Sequence, residues 1–202
     1  MINRCNCNYF LYSVFCFLFV EKSKSYFFTQ LALIFTVFAD LFLVWFGAED
    51  QLSGMIFFFG TQMSYFLRIF LEESNPKTRK IHLIVRISAS ILISFATCVV
   101  LGENTDAVAI ISLLYFANLA INTIFAFVNF KRSPLLAIGL TFFVLCDIFV
   151  GIATMGAYIH IAEGSLAYKI LNSGVNWAWI FYVPSQTLLA ISLFPTNIKK
   201  RV

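Results

Sequence analysis

Residues 134–159 read PLLAIGLTFFVLCDIFVGIATMGAYI, an apolar run whose single charged residue is Asp147. A transmembrane helix needs about 20 consecutive, mostly apolar residues, so this run is long enough to cross a bilayer. A carboxylic acid inside such a helix is costly and marks a functional site by default. The stretch therefore predicts a membrane fold and a site within it.

Apolar runs of similar character follow one another along the chain. Together with Pro134 to Ile159 they give six predicted spans, and a shorter run from Tyr9 to Val20 is a seventh if Cys5 to Asn8 extend it. No Gly/Ser/Pro-rich linker divides the chain, so we predict an all-α integral membrane bundle of about seven transmembrane helices, forming one domain over residues 1–202. The other five predicted spans are Phe27 to Phe46, Gln51 to Leu71, Ile81 to Leu101, Ala107 to Phe130 and Asn176 to Pro195.

The composition supports a membrane protein and argues against several other classes. Hydrophobic residues make up 60% of the chain and charged residues 12%, against about 25% charged in a soluble domain. The net charge of +4 resides mostly in short loops, where membrane topology explains it, so nucleic acid is not a predicted partner. The five cysteines lack CxxC pairs, and we predict neither a metal site nor a cofactor.

The loops alternate in charge along the chain. By the positive-inside rule the basic side is cytoplasmic, which predicts a multi-pass protein of the cell membrane with a cytoplasmic C-terminus. The N-terminal apolar run lacks a small-x-small cleavage site and is expected to be retained. The residues on the basic side are Lys22, Lys24, Lys77, Arg79, Lys80, Lys131, Arg132, Lys199, Lys200 and Arg201, and those on the opposite side include Glu49, Asp50, Glu103, Asp106 and Glu163, with Arg4 and Lys169.

Two aspartates are expected at the same depth in the membrane. Asp40 and Asp147 each lie about 13 residues into an outward-running span, roughly 20 Å along the helix. Gln62 and Gln186 follow in the next spans, which predicts two Asp/Gln helix pairs related by a parallel internal repeat. The alternative is that the aspartates are buried structural acids, protonated or paired with an arginine.

The remaining polar residues of the spans have two interpretations. Arg68 and Arg86 either belong to a functional site or extend to the nearby cytoplasmic interface. The uncharged residues are expected to form interhelical hydrogen bonds, typically of about 0.6 kcal/mol each. They include Asn118 and Asn122 and the inward-facing stripe Ser90, Ser94 and Thr97.

Four short motifs, in order, resemble those of the YhhN family of membrane proteins, whose characterised members are lysoplasmalogenases. The family's Gly-Asp, Gly-to-His/Tyr, Ser-Asp and Tyr-x-x-x-Gln motifs are similar to stretches spread over about residues 8 to 195. Ala39 and Cys146 stand where the family has glycine and serine, and Arg68 stands near its histidine. The family pattern implies eight helices. The matching stretches are Phe38 to Leu43, Phe58 to Gly60, Gly139 to Asp147 and Tyr182 to Gln186.

This resemblance implies a hydrolase that cleaves the vinyl ether of a membrane lysolipid to a fatty aldehyde and a glycerophospho-alcohol. The chemistry needs one protonated carboxyl group and a second group that stabilises positive charge or activates water. We predict Asp40 and Asp147 as the catalytic pair. The predicted substrate-binding residues are Gln62, Tyr65, Arg68, Tyr182 and Gln186.

Two other functions remain open. A transporter or lipid-binding protein could use the same acids to carry protons or bind a headgroup, and Pro184 beside Gln186 favours a broken helix of that kind. A catalytically silent structural partner is favoured by the arginine near the family's histidine position.

Overall fold

A computed structural model describes residues 24–46, 50–156 and 160–194, and these ranges contain helices and no strand. The predicted all-α class is confirmed. A π-helical segment, Leu41–Phe46, continues the first helix, and a 3-10 turn, Gly102–Asn104, follows the third. The helices are α1 (Lys24–Asp40), α2 (Gln51–Glu72), α3 (Pro76–Leu101), α4 (Ala107–Val128), α5 (Pro134–Met155), α6 (Leu166–Leu171) and α7 (Trp177–Ile191).

Five helical stretches in the described ranges are long and apolar enough to cross a membrane: Tyr26–Phe46, Gln51–Glu72, Pro76–Leu101, Ala107–Val128 and Pro134–Thr154. The protein is therefore a multi-pass helical membrane protein. Helix α7 has 15 residues, about 22 Å at 1.5 Å per residue, which is shorter than the roughly 30 Å hydrocarbon core. The predicted count of seven is thus supported for five spans, and the run Tyr9 to Val20 lies outside the described residues.

Capping residues set the helix boundaries more sharply than hydropathy does. Helix α3 begins at Pro76, five residues before the predicted Ile81, because the Asn75 side chain accepts a 2.9 Å hydrogen bond from the Lys77 amide. Proline at the first helical position loses no helical hydrogen bond. Asp106 caps α4 in the same way, accepting from the Ala109 amide at 2.7 Å.

Five of the helices form a ring. Around it α1 packs on α2, α2 on α4, α4 on α5, α5 on α7, and α7 returns to α1, while α3 packs against the outside of α4. The two most extensive contacts join α1 to α2 and α5 to α7. In the first pair α1 ends at Asp40 and α2 carries Gln62. In the second pair α5 carries Asp147 and α7 carries Gln186. Helices that follow one another along the chain pack together in most bundles, so the predicted internal repeat stays a prediction.

Close backbone approach holds α5 to α7. The Ser185 hydroxyl donates to the Gly139 carbonyl at 2.9 Å, and a Cβ at Gly139 would lie 2.9 Å from Leu189 Cγ and 3.2 Å from the Leu189 amide nitrogen. Glycine at position 139 therefore lets the two helices touch. The same α5 helix carries Asp147 two turns further on.

Candidate functional site

A cavity of about 710 Å³ lies at one end of the ring. Its walls are formed mostly by apolar side chains, and the two aspartates face into it. Both carboxyl-bearing residues are half-buried. The polar residues among its lining are Asp40, Gln51, Ser112, Tyr115, Asp147, Thr154, Trp179 and Tyr182, with Cys146 beside Asp147.

Asp40 sits where the backbone of the first span changes form. It is the last residue of α1, and the π-helical segment Leu41–Phe46 follows directly. Single π-helical turns inside α-helices occur frequently at functional sites. Gly54 of α2 lets this segment pack closely, because a Cβ there would lie 2.6 Å from Leu43 Cγ. The Asp40 carboxylate accepts a hydrogen bond from the hydroxyl of Tyr182 on α7.

Asp147 has a matching arrangement on the other side of the cavity. It lies in the second half of α5, and its carboxylate accepts a hydrogen bond from the hydroxyl of Tyr115 on α4. Each aspartate is therefore held by a tyrosine from another helix. Both pairs face the same cavity, so the two carboxyl groups share one apolar chamber.

Aromatic rings connect the two tyrosines below the carboxyl groups. Tyr115 stacks on Phe58, with ring centroids 5.5 Å apart. Phe58 meets Phe143 edge-on at 6.0 Å, and Phe143 meets Tyr182 edge-on at 6.1 Å. Because Phe58 and Phe143 are 7% and 0% exposed, these rings form a packed floor. We call this set of four residues the aromatic floor.

A polar network lies one helical turn below the aromatic floor. The guanidinium of Arg86 on α3 donates to the side-chain oxygens of Asn118 and Asn122 on α4, the second at 2.5 Å. Asn122 in turn donates to the Gln62 side-chain oxygen at 3.1 Å and to its backbone carbonyl at 2.8 Å. Arg86 also lies over the ring of Phe66 at 4.2 Å. Arg86 therefore bonds to neighbouring helices inside the bundle and does not extend to the cytoplasmic interface.

Gln62, Tyr65 and Gln186 share an unusual feature. The Gln62 and Gln186 amide nitrogens and the Tyr65 hydroxyl are buried and have no hydrogen-bond partner among the described residues. None of these three residues lines the cavity. Unpaired buried polar groups are rare in native structures, so these atoms mark positions where a water molecule or another polar group would bind favourably.

The loop from α2 to α3 lies outside the membrane-spanning segments and is held by Glu73. Its carboxylate accepts from the Asn75 amide at 2.8 Å and from the Asn129 side chain at 3.1 Å. The Asn75 amide hydrogen bond is the main cause that holds the pKa of Glu73 below its ordinary value of 4.5. This loop links α2, α3 and the end of α4 at the end of the bundle that carries most of the basic residues, which we call the basic end.

The sequence as a whole matches one family model. The model of the YhhN family covers residues 7–193, nearly the full chain. The chain belongs to the YhhN family. A search of curated proteins and a search of solved structures each gave no match.

Arg68 of this YhhN family member lies away from the cavity. Its guanidinium donates to the Thr29 hydroxyl at 2.5 Å and to the Ser192 hydroxyl at 2.9 Å, and it pairs with Glu72 at 3.3 Å. Thr29 precedes Asp40 by three helical turns, about 16 Å along α1. Arg68 is 2% exposed and joins α1, α2 and α7 at their basic ends.

The predicted site residues therefore fall into two groups. Asp40, Asp147 and Tyr182 line one cavity, whereas Gln62, Tyr65, Arg68 and Gln186 lie deeper in the bundle. Tyr115 was not among the predicted residues. The sequence could have indicated Tyr115, because a tyrosine inside an apolar helix needs a hydrogen-bond partner for its hydroxyl once it is buried. In the described ranges no group of three His, Cys, Asp or Glu side chains is placed to hold a metal ion.

Proposed function

We propose that this protein is a membrane-embedded lysolipid hydrolase of the lysoplasmalogenase type, which cleaves a vinyl ether bond by aspartate acid-base chemistry. The observation that carries the proposal is the pair of carboxyl groups in one apolar cavity, each hydrogen-bonded by a tyrosine from another helix. Membership of the YhhN family agrees with such an activity.

The reaction begins with a proton transfer to carbon. One aspartic acid, Asp40 or Asp147, gives its proton to the β-carbon of the vinyl ether, and the double-bond electrons form the new C–H bond. The α-carbon and the ether oxygen then share the positive charge of an oxocarbenium ion. The second carboxyl group, ionised, stabilises this cation across the cavity.

Water completes the hydrolysis. It adds to the α-carbon and loses a proton to the carboxylate that protonated the β-carbon, which gives a hemiacetal and restores that acid. The hemiacetal then breaks the bond between its carbon and the glycerol oxygen. Its hydroxyl proton ends on that oxygen, which releases the fatty aldehyde and the glycerophospho-alcohol. Both carboxyl groups finish in their starting protonation states. The sum is one vinyl ether and one water converted to one aldehyde and one alcohol, with no oxidant or reductant.

The cavity is large enough for a lipid chain. A methylene group is roughly the size of a water molecule, about 30 Å³, so a chain of about 16 carbons fills about 480 Å³. The cavity of about 710 Å³ has room for such a chain. Its apolar walls suit a hydrocarbon, and the carboxyl groups meet the polar ether.

The tyrosine hydroxyls hold the two carboxyl groups in position. A hydrogen bond to one oxygen of each carboxyl group leaves the other oxygen directed to substrate or water. Tyr182 and Tyr115 rest on the aromatic floor, so their hydroxyls are held in place by packing. Gln62, Tyr65 and Gln186 were predicted to bind substrate, but they lie deeper than the aromatic floor and outside the cavity lining, so we propose no substrate contact for them.

The test is turnover by purified Asp40→Asn and Asp147→Asn variants. We expect each to lower aldehyde release from a vinyl-ether lysolipid by about 10²- to 10⁴-fold, the usual contribution of a general acid or base. Asp50→Asn is the matched control, because it removes a carboxylate next to α2 without altering the cavity's acid pair. Variants that elute as folded protein and release aldehyde at the parent rate would show the proposal to be wrong.

A second candidate, proton-coupled transport of a lipid or solute, has its own supporting observation. Pro184 lies inside α7 and cannot donate a helical hydrogen bond, and a π-helical segment follows Asp40, so regular α-helical hydrogen bonding is interrupted in both helices of the Tyr182–Asp40 pair. Irregular helices next to ionisable groups are typical of transporters. Proton-linked uptake by vesicles that release no aldehyde from the lysolipid would favour this candidate over the hydrolase.

A further inference from the structure

The cavity is built from only one end of the helical bundle. It is lined by the end of α1 with the π-helical segment, the start of α2, the end of α3, the start of α4, the second half of α5 and the start of α7. Helices α1 to α5 alternate in direction along the chain, and α7 runs back from α5 after the short helix α6, so all these stretches lie at the same end. We call it the cavity end.

The two ends of the bundle carry opposite charge. The cavity end has Asp50, Glu103, Asp106 and Glu163, and Lys169 is its one basic residue within the described ranges. The other end carries most of the basic residues of those ranges. Since basic loops are retained in the cytoplasm, the cavity end faces away from it. The basic residues at this end include Lys77, Arg79 and Lys80 in the first turns of α3 and Lys131 and Arg132 between α4 and α5, and the acidic ones in the described ranges are Glu72 and Glu73.

Packed layers separate the cavity from the basic end. The aromatic floor closes it first, with Phe143 fully buried. Next comes the hydrogen-bonded layer of Arg86, Asn122 and Gln62. The hydrogen bonds of Arg68 to Thr29 and Ser192 then join three helices at the basic end.

The rim of the cavity reaches the lipid-facing surface. Among its lining residues, Val44 is 45% exposed, Val100 77% and Leu113 42%. These apolar side chains come from the π-helical segment, α3 and α4, and belong to the outer faces of the bundle. A hydrocarbon chain can therefore pass between bilayer and cavity without crossing a polar surface.

We infer that the cavity takes a single-chain lipid from the non-cytoplasmic leaflet and returns the polar product to that side of the membrane. The choice of a single-chain lipid and the release of a polar product rest on the proposed hydrolase function. The side of the opening follows from the lining residues and the charge of the loops. Turnover would then depend on lysolipid in the outer leaflet, whatever its concentration in the inner one.

The first measurement determines which side of the membrane the cavity end faces, and it needs no activity assay. Glu103→Cys and Lys80→Cys are each made in the parent chain, since both positions are exposed and lie at opposite ends. Intact cells are treated with a membrane-impermeant maleimide, and the unmodified parent gives the background from its own cysteines. We expect Glu103→Cys to add label in intact cells and Lys80→Cys to add label only after permeabilisation. The opposite pattern would overturn the inference.

The second measurement asks which leaflet feeds the cavity. Proteoliposomes of Lys80→Cys are treated with an impermeant biotin-maleimide, and streptavidin removes the vesicles whose basic end points outward. Parent proteoliposomes taken through the same steps give the share that is captured through the native cysteines. A vinyl-ether lysolipid with a phosphocholine headgroup is then added from outside. We expect aldehyde from the uncaptured vesicles at once, and from the captured vesicles only after detergent opens them. Equal initial release from both populations would contradict the inference.

A binding readout keeps the two proposals distinguishable. A brominated single-chain phosphocholine lipid, added outside, should quench the fluorescence of Trp179 in the uncaptured vesicles, because Trp179 lines the cavity. The Trp179→Phe variant gives the share of quenching that belongs to this residue. Sided quenching without aldehyde in detergent would refute the hydrolase and support the sidedness. Trp179-dependent quenching that is equal in both populations would refute the sidedness alone.

Discussion

The hydroxyl of Tyr115, on α4, donates a hydrogen bond to the carboxylate of Asp147, on α5. The relation between Tyr182 and Asp40 repeats it with helices α7 and α1. Two Asp-Tyr pairs drawn from four helices thus meet at one cavity. A carboxyl group held in this way keeps a fixed orientation, which matters for proton transfer to a carbon atom.

Tyr115→Phe and Tyr182→Phe should each lower turnover while leaving the fold intact. Phenylalanine keeps the ring contacts of the aromatic floor and removes only the hydrogen bond to the carboxylate. A hydrogen bond to a charged group is worth about 1.5–3 kcal/mol, so kcat should fall about 10- to 150-fold. The measurement is aldehyde release per folded protein, with thermal unfolding in detergent run beside it.

Tyr168→Phe is the matched control for these variants. Tyr168 lies on α6 and is 39% exposed, and it lies apart from the cavity lining. Its loss of a hydroxyl should leave turnover unchanged. A parent-like rate for Tyr115→Phe alongside an inactive Asp147→Asn would mean that the hydrogen bond has no part in catalysis.

The apolar runs were sufficient to predict most of the helices. Helix α2 begins at Gln51 and α4 at Ala107, as predicted, because a polar residue directly precedes each apolar run. Helix α3 begins five residues early because its first turn is polar and is set by a cap. The short helix Leu166–Leu171 was not predicted, since six residues give no helical period to read.

The candidate site was harder to predict from the sequence than the helices were. Asp40 and Asp147 were predicted to lie at one depth, and each is a rare charge in an apolar run. Their tyrosine partners depend on which helices become neighbours, and spacing within one helix carries no such information. Tyr65 and Arg68 share a helix with cavity-lining Phe58, yet they lie two and three turns deeper.

Gly139→Ala should destabilise the protein through the contact between α5 and α7. The added methyl group would lie 2.9 Å from Leu189 Cγ and 3.2 Å from the Leu189 amide nitrogen. Backbone cannot move as freely as a flexible side chain, so we expect a loss of about 1–3 kcal/mol. The measurement is the midpoint of thermal unfolding in detergent.

Gly151→Ala tests whether that loss comes from the contact. Gly151 lies on the same helix, and nothing stands within 4 Å of its Cβ position. Alanine is favoured over glycine in a helix interior by about 0.5–1 kcal/mol, so this variant should unfold at the parent temperature or slightly above it. An equal decrease in both variants would show that the close approach at Gly139 is not the cause.

Arg68→Gln should reduce stability and leave the chemistry of the folded protein unchanged. The guanidinium binds Thr29 and Ser192 at the basic end, about 16 Å along the helix from Asp40. Losing hydrogen bonds from a charged group costs about 1.5–3 kcal/mol each. Thermal unfolding and kcat per folded protein, measured on the same preparation, separate the two effects. A normal unfolding temperature with an abolished kcat would instead place Arg68 in the reaction.

The contribution of Glu73 to stability should depend on pH, and its sign follows from the lowered pKa. The hydrogen bonds from Asn75 and Asn129 favour the ionised carboxylate, so its pKa in the folded protein lies below the ordinary 4.5. The unfolded chain binds this proton first as the pH falls. The stabilisation is therefore fully present above about pH 5 and is lost as the pH falls through the lower, folded pKa.

Glu73→Gln separates the contribution of Glu73 to stability from the contributions of the other carboxyl groups. Glutamine can still accept from the Asn75 amide, but it loses the charge that strengthens both hydrogen bonds. We expect the variant to unfold at a lower temperature than the parent at pH 7, and the difference to shrink as the pH is lowered from about 5 to about 3. Glu103→Gln, which removes an exposed carboxylate at the cavity end, controls for the loss of one charge. A difference between parent and Glu73→Gln that stays constant over this pH range would show that ionised Glu73 does not stabilise the loop.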